Sequence, residues 1–366
     1  MIDFLVIGGG IAGCSVGARL SDLGQVMVVE REDALAYHAS GRSAAMFEES
    51  YGLPSTIALN EASKSYHFDA HGGVVSPRGL MLIGTALNAD DFAADLVSMK
   101  MEDIGLDAGR AFIPILNHHV TRVGYHADAW DLDTDKLVQD FARTVRSNGG
   151  TVHQGAEVTA IIRTATGWEV TVGGEVIAAR AIVNAAGAWV DEVAVMAGIA
   201  PLGVTPLRRS MARIPAPGGH DVSRWPMLFG PGETWYAKPD AGALIVSPAE
   251  EDPMPPMDAW ADDMVLAEGL ARYEAHVTEP VTQVTSNWAG LRTFSPDRNL
   301  VLGPDPADAS FIWMAGQGGY GFQTAPAASQ LVADLVAGRP PQIAADMVAR
   351  LTPDRLARSS GQENPR

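Results

Sequence analysis

Apolar positions along this chain switch between two periods. Asp3–Ile7 is a continuous run of β-forming residues that stops at three glycines, after which Ile11, Val16, Leu20 and Leu23 fall at helical spacing. Gln25–Glu30 is a second apolar run, ended by an acid. The pattern predicts strand, turn, helix (Ile11–Leu23) and strand. Further helical runs are expected at Thr56–Phe68, Asp90–Met101 and Asp135–Ser147, across residues 257–276, and at Ala325–Ala337. Glu157–Arg163, Trp168–Val172 and Glu175–Ala178, separated by TATG and GG turns, predict a meander ahead of a further strand, Ala181–Asn184. Short strand-like runs, Tyr236–Lys238 and Ala243–Ser247, lie in a region rich in proline and glycine. After Pro353 the chain turns polar and is expected to be loosely held. No repeat or low-complexity linker separates these pieces, so an α/β (α+β) chain of interleaved domains is expected.

Composition narrows the function. At 366 residues and 47% hydrophobic the chain is too apolar for disorder and long enough for two cores. Its net charge of −18 would repel a phosphate backbone, so nucleic acid is not an expected partner. A single cysteine, Cys14, excludes an internal disulfide framework and any cysteine-rich metal site. No apolar run approaches the roughly 20 residues of a membrane helix. The N-terminal apolar stretch imitates a signal-peptide core but lacks a basic n-region, and a cytoplasmic enzyme is expected. His118 and His119 are adjacent and would face opposite ways in a strand. All nine histidines read as structural or surface residues, and no metal site is expected.

The first thirty residues carry specific chemistry. Gly8, Gly10 and Gly13 stand in G-x-G-x-x-G register between a strand and a helix, and Glu30 follows Gly10 by twenty residues. Gly8 permits the tight turn, Gly10 lets backbone N–H groups approach a pyrophosphate, and Gly13 allows close helix–strand packing. Glu30 can accept from ribose hydroxyls. An acid there disfavours a 2′-phosphate, so NADP is not expected. FAD and NAD both remain open on these residues.

The fingerprint, YHASGRSAA (Tyr37–Ala45), the meander leading to VNAAGAW, NWAGLRTF and AGQGGYGFQT occur in one order from residue 2 to about 350. As a set they resemble the D-amino-acid-oxidase-type flavoproteins, which include glycine oxidase and sarcosine oxidase. Within these the chain is most similar to the bacterial D-arginine dehydrogenase subgroup. The resemblance implies FAD and a Rossmann-type FAD-binding domain from residues 1–75, 140–200 and 285–366. Interleaved with it would be a substrate domain, residues 76–139 and 201–284, on a mostly antiparallel sheet with flanking helices. Cys14 does not match the covalent-flavin cysteine of sarcosine oxidases, which implies non-covalent FAD. The implied cofactor contacts begin with Gly8, Gly10, Ile11, Ala12 and Gly13, then Glu30 and Arg31. Ser40, Gly41, Arg42, Ser43 and Ala44 would wrap the phosphates and ribityl chain, with Arg42 offsetting diphosphate charge. Val158 would meet the adenine, and Ala186, Gly187 and Trp189 would approach closely. Gly290, Arg292, Gly318, Gly319, Tyr320, Gly321, Phe322 and Gln323 would surround the isoalloxazine.

On the substrate side, the resemblance makes Arg292 the arginine that pairs with the substrate carboxylate. Arg209 would be a second ligand, with neighbouring Arg208 as the alternative after a one-residue slip. Tyr51 would be the lid tyrosine and Tyr236 the one capping the carboxylate. Gly319 and Gly290 would offer carbonyls to the amine. The implied reaction is hydride loss from Cα of a D-amino acid to flavin N5, giving an imino acid that hydrolyses to a 2-oxo acid and ammonium. No strong base is required. The chain departs from the subgroup at Leu80, where a glutamate would take a guanidinium, and at Met46 and Glu48, where histidine and threonine would stand. Leu80 argues for an apolar substrate tail; Glu48 argues for a relocated acid, unless Glu48 and Glu49 are solvated. An apolar or mixed tail is expected. The run Glu250–Asp252 reads as a solvated loop. Ala243–Ser247 lacks the lysine that activates oxygen in sarcosine oxidases, so an acceptor other than oxygen, a quinone or another carrier, is expected. The alternatives are an oxidase of glycine-like or N-methyl amino acids that makes hydrogen peroxide, and a non-catalytic flavin subunit.

Overall fold

The computed structural model describes residues 1–359. Strand Ile2–Ile7 lies between two parallel partners, Val26–Val29 and Glu175–Asn184, with Thr151–His153 beyond the first. Phe311–Ala315 adds in parallel to Glu175–Asn184 and carries Val301–Pro304 antiparallel to it. The meander Val158–Thr164 and Gly167–Val172 folds antiparallel onto the first half of the same strand. Glu175–Asn184 is thus one ten-residue strand, where two were expected. Its first half completes the meander, and its second half is buried in the parallel sheet.

Helix Ile11–Leu20 is buried on nearly every side, which its small residues permit. A Cβ on Gly13 would sit 1.8 Å from the Gly8 carbonyl oxygen, and one on Gly17 would sit 2.9 Å from Val28. The helix packs beside Thr134–Ser147 and Gly321–Ala337 in one continuous core. It ends at Leu20 rather than Leu23, capped by Ser21. Cys14 is buried within it, and burial pushes its thiol up to about 12, so it is an inert packing residue.

A second sheet of nine strands is mostly antiparallel, with Leu80–Thr85 and Met227–Phe229 its parallel pair. Strand Thr205–Pro215 is central: Ser286–Phe294 pairs along it, and Ala243–Ser247 joins its C-terminal half. Ser286–Phe294 therefore belongs to this sheet, although residues 285–366 were expected with the cofactor domain. A three-stranded sheet, Met46–Glu48, Ala129–Leu132 and Val75–Pro77, bridges the two.

The expected helix across 257–276 occupies only Asp263–Glu274, with the Asp262 carboxylate capping its start by accepting from Met264 N and Val265 N. The helix expected at Ala325–Ala337 begins four residues earlier, at Gly321. Beyond Pro353 a short helix, Asp354–Ser359, is pinned by Arg355, which pairs with Asp297 (2.7 Å), so this part is not loosely held. Residues 360–366 lie outside the described part.

Candidate active site

Two cavities share a wall. The larger, about 320 Å³, runs from the Gly8–Gly13 turn past the end of Val26–Val29 to the start of Gly321–Ala337. Glycines, alanines and serines supply much of its wall. Gly8 has φ +111°, and a Cβ there would lie 2.4 Å from the Ala185 carbonyl oxygen. Ser40 Oγ accepts from Ile11 N (3.1 Å), at the first turn of a helix whose N-cap, Gly10, brings no side-chain cap. Glu30, 8% exposed, is held at the strand end: Oε2 accepts from Gly9 N (2.6 Å) and Oε1 from Glu32 N (3.0 Å). Each oxygen keeps a lone pair for a ribose hydroxyl. Arg31 lies over the Trp189 ring (4.6 Å), and His38 packs against the same ring at 4.7 Å.

The N-termini of Ile11–Leu20 and Gly321–Ala337 both line this cavity, so two positive helix ends face one elongated space. A helix start with glycine at its N-cap, a carboxylate at the second strand and a glycine cradle fit a dinucleotide with an anionic centre. Ala12, Ser43, Val158, Ala186, Gly187, Gly290, Gly318, Phe322 and Gln323 line it. Gly13 and Gly41 do not; they serve packing, Gly41 by closing to within 2.4 Å (as a Cβ) of the Ala36 carbonyl oxygen. Arg42 lines the cavity, but its guanidinium is engaged by the protein. It donates to the carbonyls of Ala259 and Ala289 (both 2.9 Å) and pairs with Asp258. It is thus spent on three protein acceptors, and the expected role against a diphosphate is not what this geometry supplies.

The smaller cavity, about 110 Å³, opens from the same junction and is made of side chains. Pairing of Leu207 with Arg292 and of Arg209 with Gly290 puts Arg209 and Arg292 on one sheet face, since side chains alternate. Arg208 points the opposite way and binds Asp252 (2.8 Å). The register thereby separates two arginines that sequence left as alternatives. Among the described residues Arg292 makes no ion pair or hydrogen bond. Burial opposes its charge, but the Tyr236 and Tyr51 hydroxyls and the Glu233 carboxylate outweigh that and raise its pKa. Arg209 is 6% exposed, reaches Glu251 only at 3.5 Å, and leaves Nε without a partner. Burial, then the charge on Arg292, lowers its pKa, though a guanidinium stays protonated.

Tyr51 donates to Glu233 Oε2 (2.9 Å) and packs on Tyr320 at 5.3 Å. Burial and Glu233 push its pKa well up, so the phenol keeps its proton. Tyr236 faces this cavity, while Trp235 lines it too and stacks edge-on with Tyr273 in the core behind. Among the described residues the Tyr236 hydroxyl finds only Met211 Sδ, 3.4 Å away. Gln323 lines both cavities, and its Nε2 donates to the Tyr51 carbonyl (3.3 Å).

Far from the arginines the wall is apolar: Leu80, Met46, Met99, Met227 and Phe229. Met99, Met227, Phe229 and Glu233 were not expected from sequence; only the position of Glu233, just before WYAKPD, hinted at it. Glu48 lines this end too and is 4% exposed, so it is not a solvated acid. Ser50 N donates to its Oε1 (2.9 Å), and His126 lies 3.3 Å from Oε2. Burial raises its pKa against those two partners, with Glu49 and Asp128 adding to the rise. Glu49, by contrast, pairs with Lys64 at the surface. The expected solvated loop Glu250–Asp252 is also built in: Glu250 accepts from Ser210 N (2.7 Å), Glu251 binds Arg298 (2.8 Å), and Asp252 pairs with Arg208. These acids balance arginines on both faces of one strand, a charge requirement that appears only once the strands are paired.

Among the described residues no group of three His, Cys, Asp or Glu could hold a metal ion. No described helix is long and apolar enough to cross a membrane. The chain is 25% identical over 395 residues to FAD-dependent oxidoreductase domain-containing protein 1 of Bos taurus, covering 91% of this chain and 81% of that protein. It is 24% identical over 366 residues to glycine oxidase of Pseudomonas putida, covering 93% and 95%. Its fold matches glycine oxidase from Geobacillus kaustophilus with a TM-score of 0.81 at 20% identity, over 96% of this chain and 98% of the other. L-Proline dehydrogenase from P. horikoshii matches with a TM-score of 0.83 at 19% identity, over 98% of each. The family described as FAD dependent oxidoreductase matches residues 3–335. With the cradle and the carboxylate at Glu30 in place, the chain belongs to this DAO family of FAD-dependent oxidoreductases.

Proposed function

We propose that the chain oxidises a D-amino acid to its imino acid, which water then converts to a 2-oxo acid and ammonium. The observation that carries this reading is Arg292: an unpaired, half-buried guanidinium at the junction of the two cavities, with Arg209 on the same face. An α-carboxylate supplies the missing counter-charge. Arg292 would bind it, Arg209 would add a second charge-assisted contact, and the Tyr236 and Tyr51 hydroxyls would complete the clamp. The carbonyls of Gly290 and Gly319 would accept from the amine, favouring its neutral form. Clamped at both groups, the Cα–H bond is held toward the larger cavity. Bound FAD, held without a covalent link, supplies the hydride acceptor. The protein's share is binding, orientation and exclusion of water; no side chain need act as a strong base.

In this reading the first sheet and its helices, essentially residues 1–75, 140–200 and the C-terminal segment, hold the cofactor, and the second sheet shapes the substrate. The substrate tail would be apolar along Leu80, Met99, Met227 and Phe229, with Glu48 facing its end, which suits an apolar or mixed side chain. That departs from the D-arginine dehydrogenase pattern, whose acid is absent at Leu80. We assign the electrons to a carrier other than oxygen, such as a quinone, and the enzyme to the cytoplasm. A second reading, an oxidase of glycine-like or N-methyl amino acids, draws support from the likeness to glycine oxidases.

The test is anaerobic mixing of the FAD-loaded protein with separate pools of basic and apolar D-amino acids, followed by loss of oxidised-flavin absorbance. Bleaching by either pool, with slow reoxidation in air, supports the proposal. Bleaching only by glycine or N-methyl glycine, with prompt hydrogen peroxide, would replace it with the second reading. If only L-amino acids bleached the flavin, the stereochemical assignment would fall.

A further inference from the structure

Lys238 is a buried ammonium for which the proposed chemistry has no use. It follows Tyr236 by two residues on one strand, so both side chains leave the sheet on the same face. Its Nζ donates to the carbonyls of Ala44 (2.7 Å) and Ala45 (3.0 Å) and lies 2.9 Å from Asp131 Oδ1. Asp131 Oδ2 in turn accepts from Arg78 Nε (2.7 Å), and Arg78 Nη1 donates to the carbonyls of Ser223 and Trp225. One cation therefore joins the second sheet, the three-stranded sheet and the stretch 43–46.

That stretch matters because it forms the wall between the cavities: Ser43, Ala45 and Met46 line both of them. Residues 43–45 belong to no strand, and pairing with Ala129–Leu132 begins only at Met46. The Ala44 and Ala45 carbonyls turn toward the second sheet, where a partnerless buried carbonyl is costly. Lys238 supplies both donors from a single side chain, and Asp131 makes its burial tolerable. Burial lowers the Lys238 pKa and Asp131 works against that, as a fixed structural cation requires.

We propose that Lys238 is a positioning residue: held by Asp131, it fixes the shared wall 43–46 and so sets the distance between bound substrate and cofactor. This rests on the proposed function for its substrate, but its own signature is separable. The experiment uses FAD-loaded wild type, Lys238→Met, Lys238→Arg and Asp131→Asn, with the amino acid that bleaches the wild type. Lys238→Met is expected to lower the limiting rate of anaerobic flavin bleaching by roughly tenfold or more, with substrate affinity changed less than about threefold. Lys238→Arg should recover part of that loss, and Asp131→Asn should fall between. A purely structural role would lower Tm yet leave the limiting rate at the wild-type value, and that outcome overturns the proposal. If Lys238→Met does not retain FAD, Asp131→Asn decides: a wild-type limiting rate there overturns it. If no amino acid bleaches the wild type, the proposed function fails, and the wall is judged by the flavin difference spectrum produced by benzoate, an unreactive carboxylate. An altered spectrum in Asp131→Asn and Lys238→Arg then supports the wall's role, and identical spectra overturn it.

Discussion

The two cavities are built from different material. The larger is a backbone site: glycines, alanines and two helix starts within a parallel sheet, with one acid at a strand end. The smaller is a side-chain site: two arginines, two tyrosines, an interior glutamate and a methionine-lined wall, gathered from strands far apart in sequence. A backbone site tolerates almost no added atom but asks little of charge. A side-chain site tolerates changes of shape but depends on charge balance, because its ions are buried. Substitutions should therefore fail in different ways on the two sides.

The sharpest contrast is between Gly13 and Gly10. An alanine at Gly13 would drive its Cβ into the Gly8 carbonyl oxygen, 1.8 Å away, so Gly13→Ala should abolish FAD retention and most soluble yield. At Gly10 the nearest obstacle is the Ser40 hydroxyl at 3.1 Å, which can rotate, so Gly10→Ala should keep the fold and weaken FAD binding. Flavin content after gel filtration checks both; equal retention would mean that the turn is not rigid.

Arg292 is the corresponding test on the other side. Arg292→Ala should hold FAD normally while losing roughly a thousandfold in kcat/KM, about 4 kcal/mol, since it removes a charge-assisted contact. Unchanged kcat/KM would remove the carboxylate clamp from the site. Arg209→Ala and Arg208→Ala sharpen this further. The first should cost on the order of a hundredfold in kcat/KM. The second should leave kcat/KM within about threefold and act on Tm, because its partner Asp252 lies on the opposite face.

The remaining effects are pH-dependent. His67 donates from Nε2 to the Gln323 carbonyl (2.9 Å), and burial pushes its pKa down to about 4 from 6.5. The unfolded chain binds the proton more readily, so stability falls as pH drops from 6.5 toward 4. The loss should be on the order of 3 kcal/mol and absent from His67→Gln. Denaturant melts of both proteins across that window measure it. Glu48 has the opposite sign. Its pKa is raised by burial, so the folded state holds the proton more tightly and wild type loses stability as pH rises above the ordinary glutamate range. Glu48→Gln should therefore gain on wild type in Tm as pH rises, and parallel curves would mean that Glu48 is already solvated.

The difference between the cavities also divides what could be read in advance. The glycine spacing, both flanking strands and Glu30 lie within thirty residues, and local sterics demand those residue types wherever such a turn occurs. The α/β class, the first helix and the cofactor cradle were legible for that reason. Arg42 shows the limit even there: a guanidinium on a long stem goes to its best acceptors, and Asp258, 216 residues away, was not visible as one.

The smaller cavity was legible only as a set of residues matching a resemblance. Which of Arg208 and Arg209 faces the site was decided by the register with Ser286–Phe294. Whether Glu48 and Glu250 meet water was decided by what packs over them: Glu48 is buried, and the Glu250 side chain is only 7% exposed. Sequence by itself determined the turn, the strand ends and the residue types that a dinucleotide cradle needs, because those follow from backbone sterics over short distances. Only the tertiary structure decided which charges share a cavity, because strand alternation assigns each side chain a face and burial assigns each charge its partner.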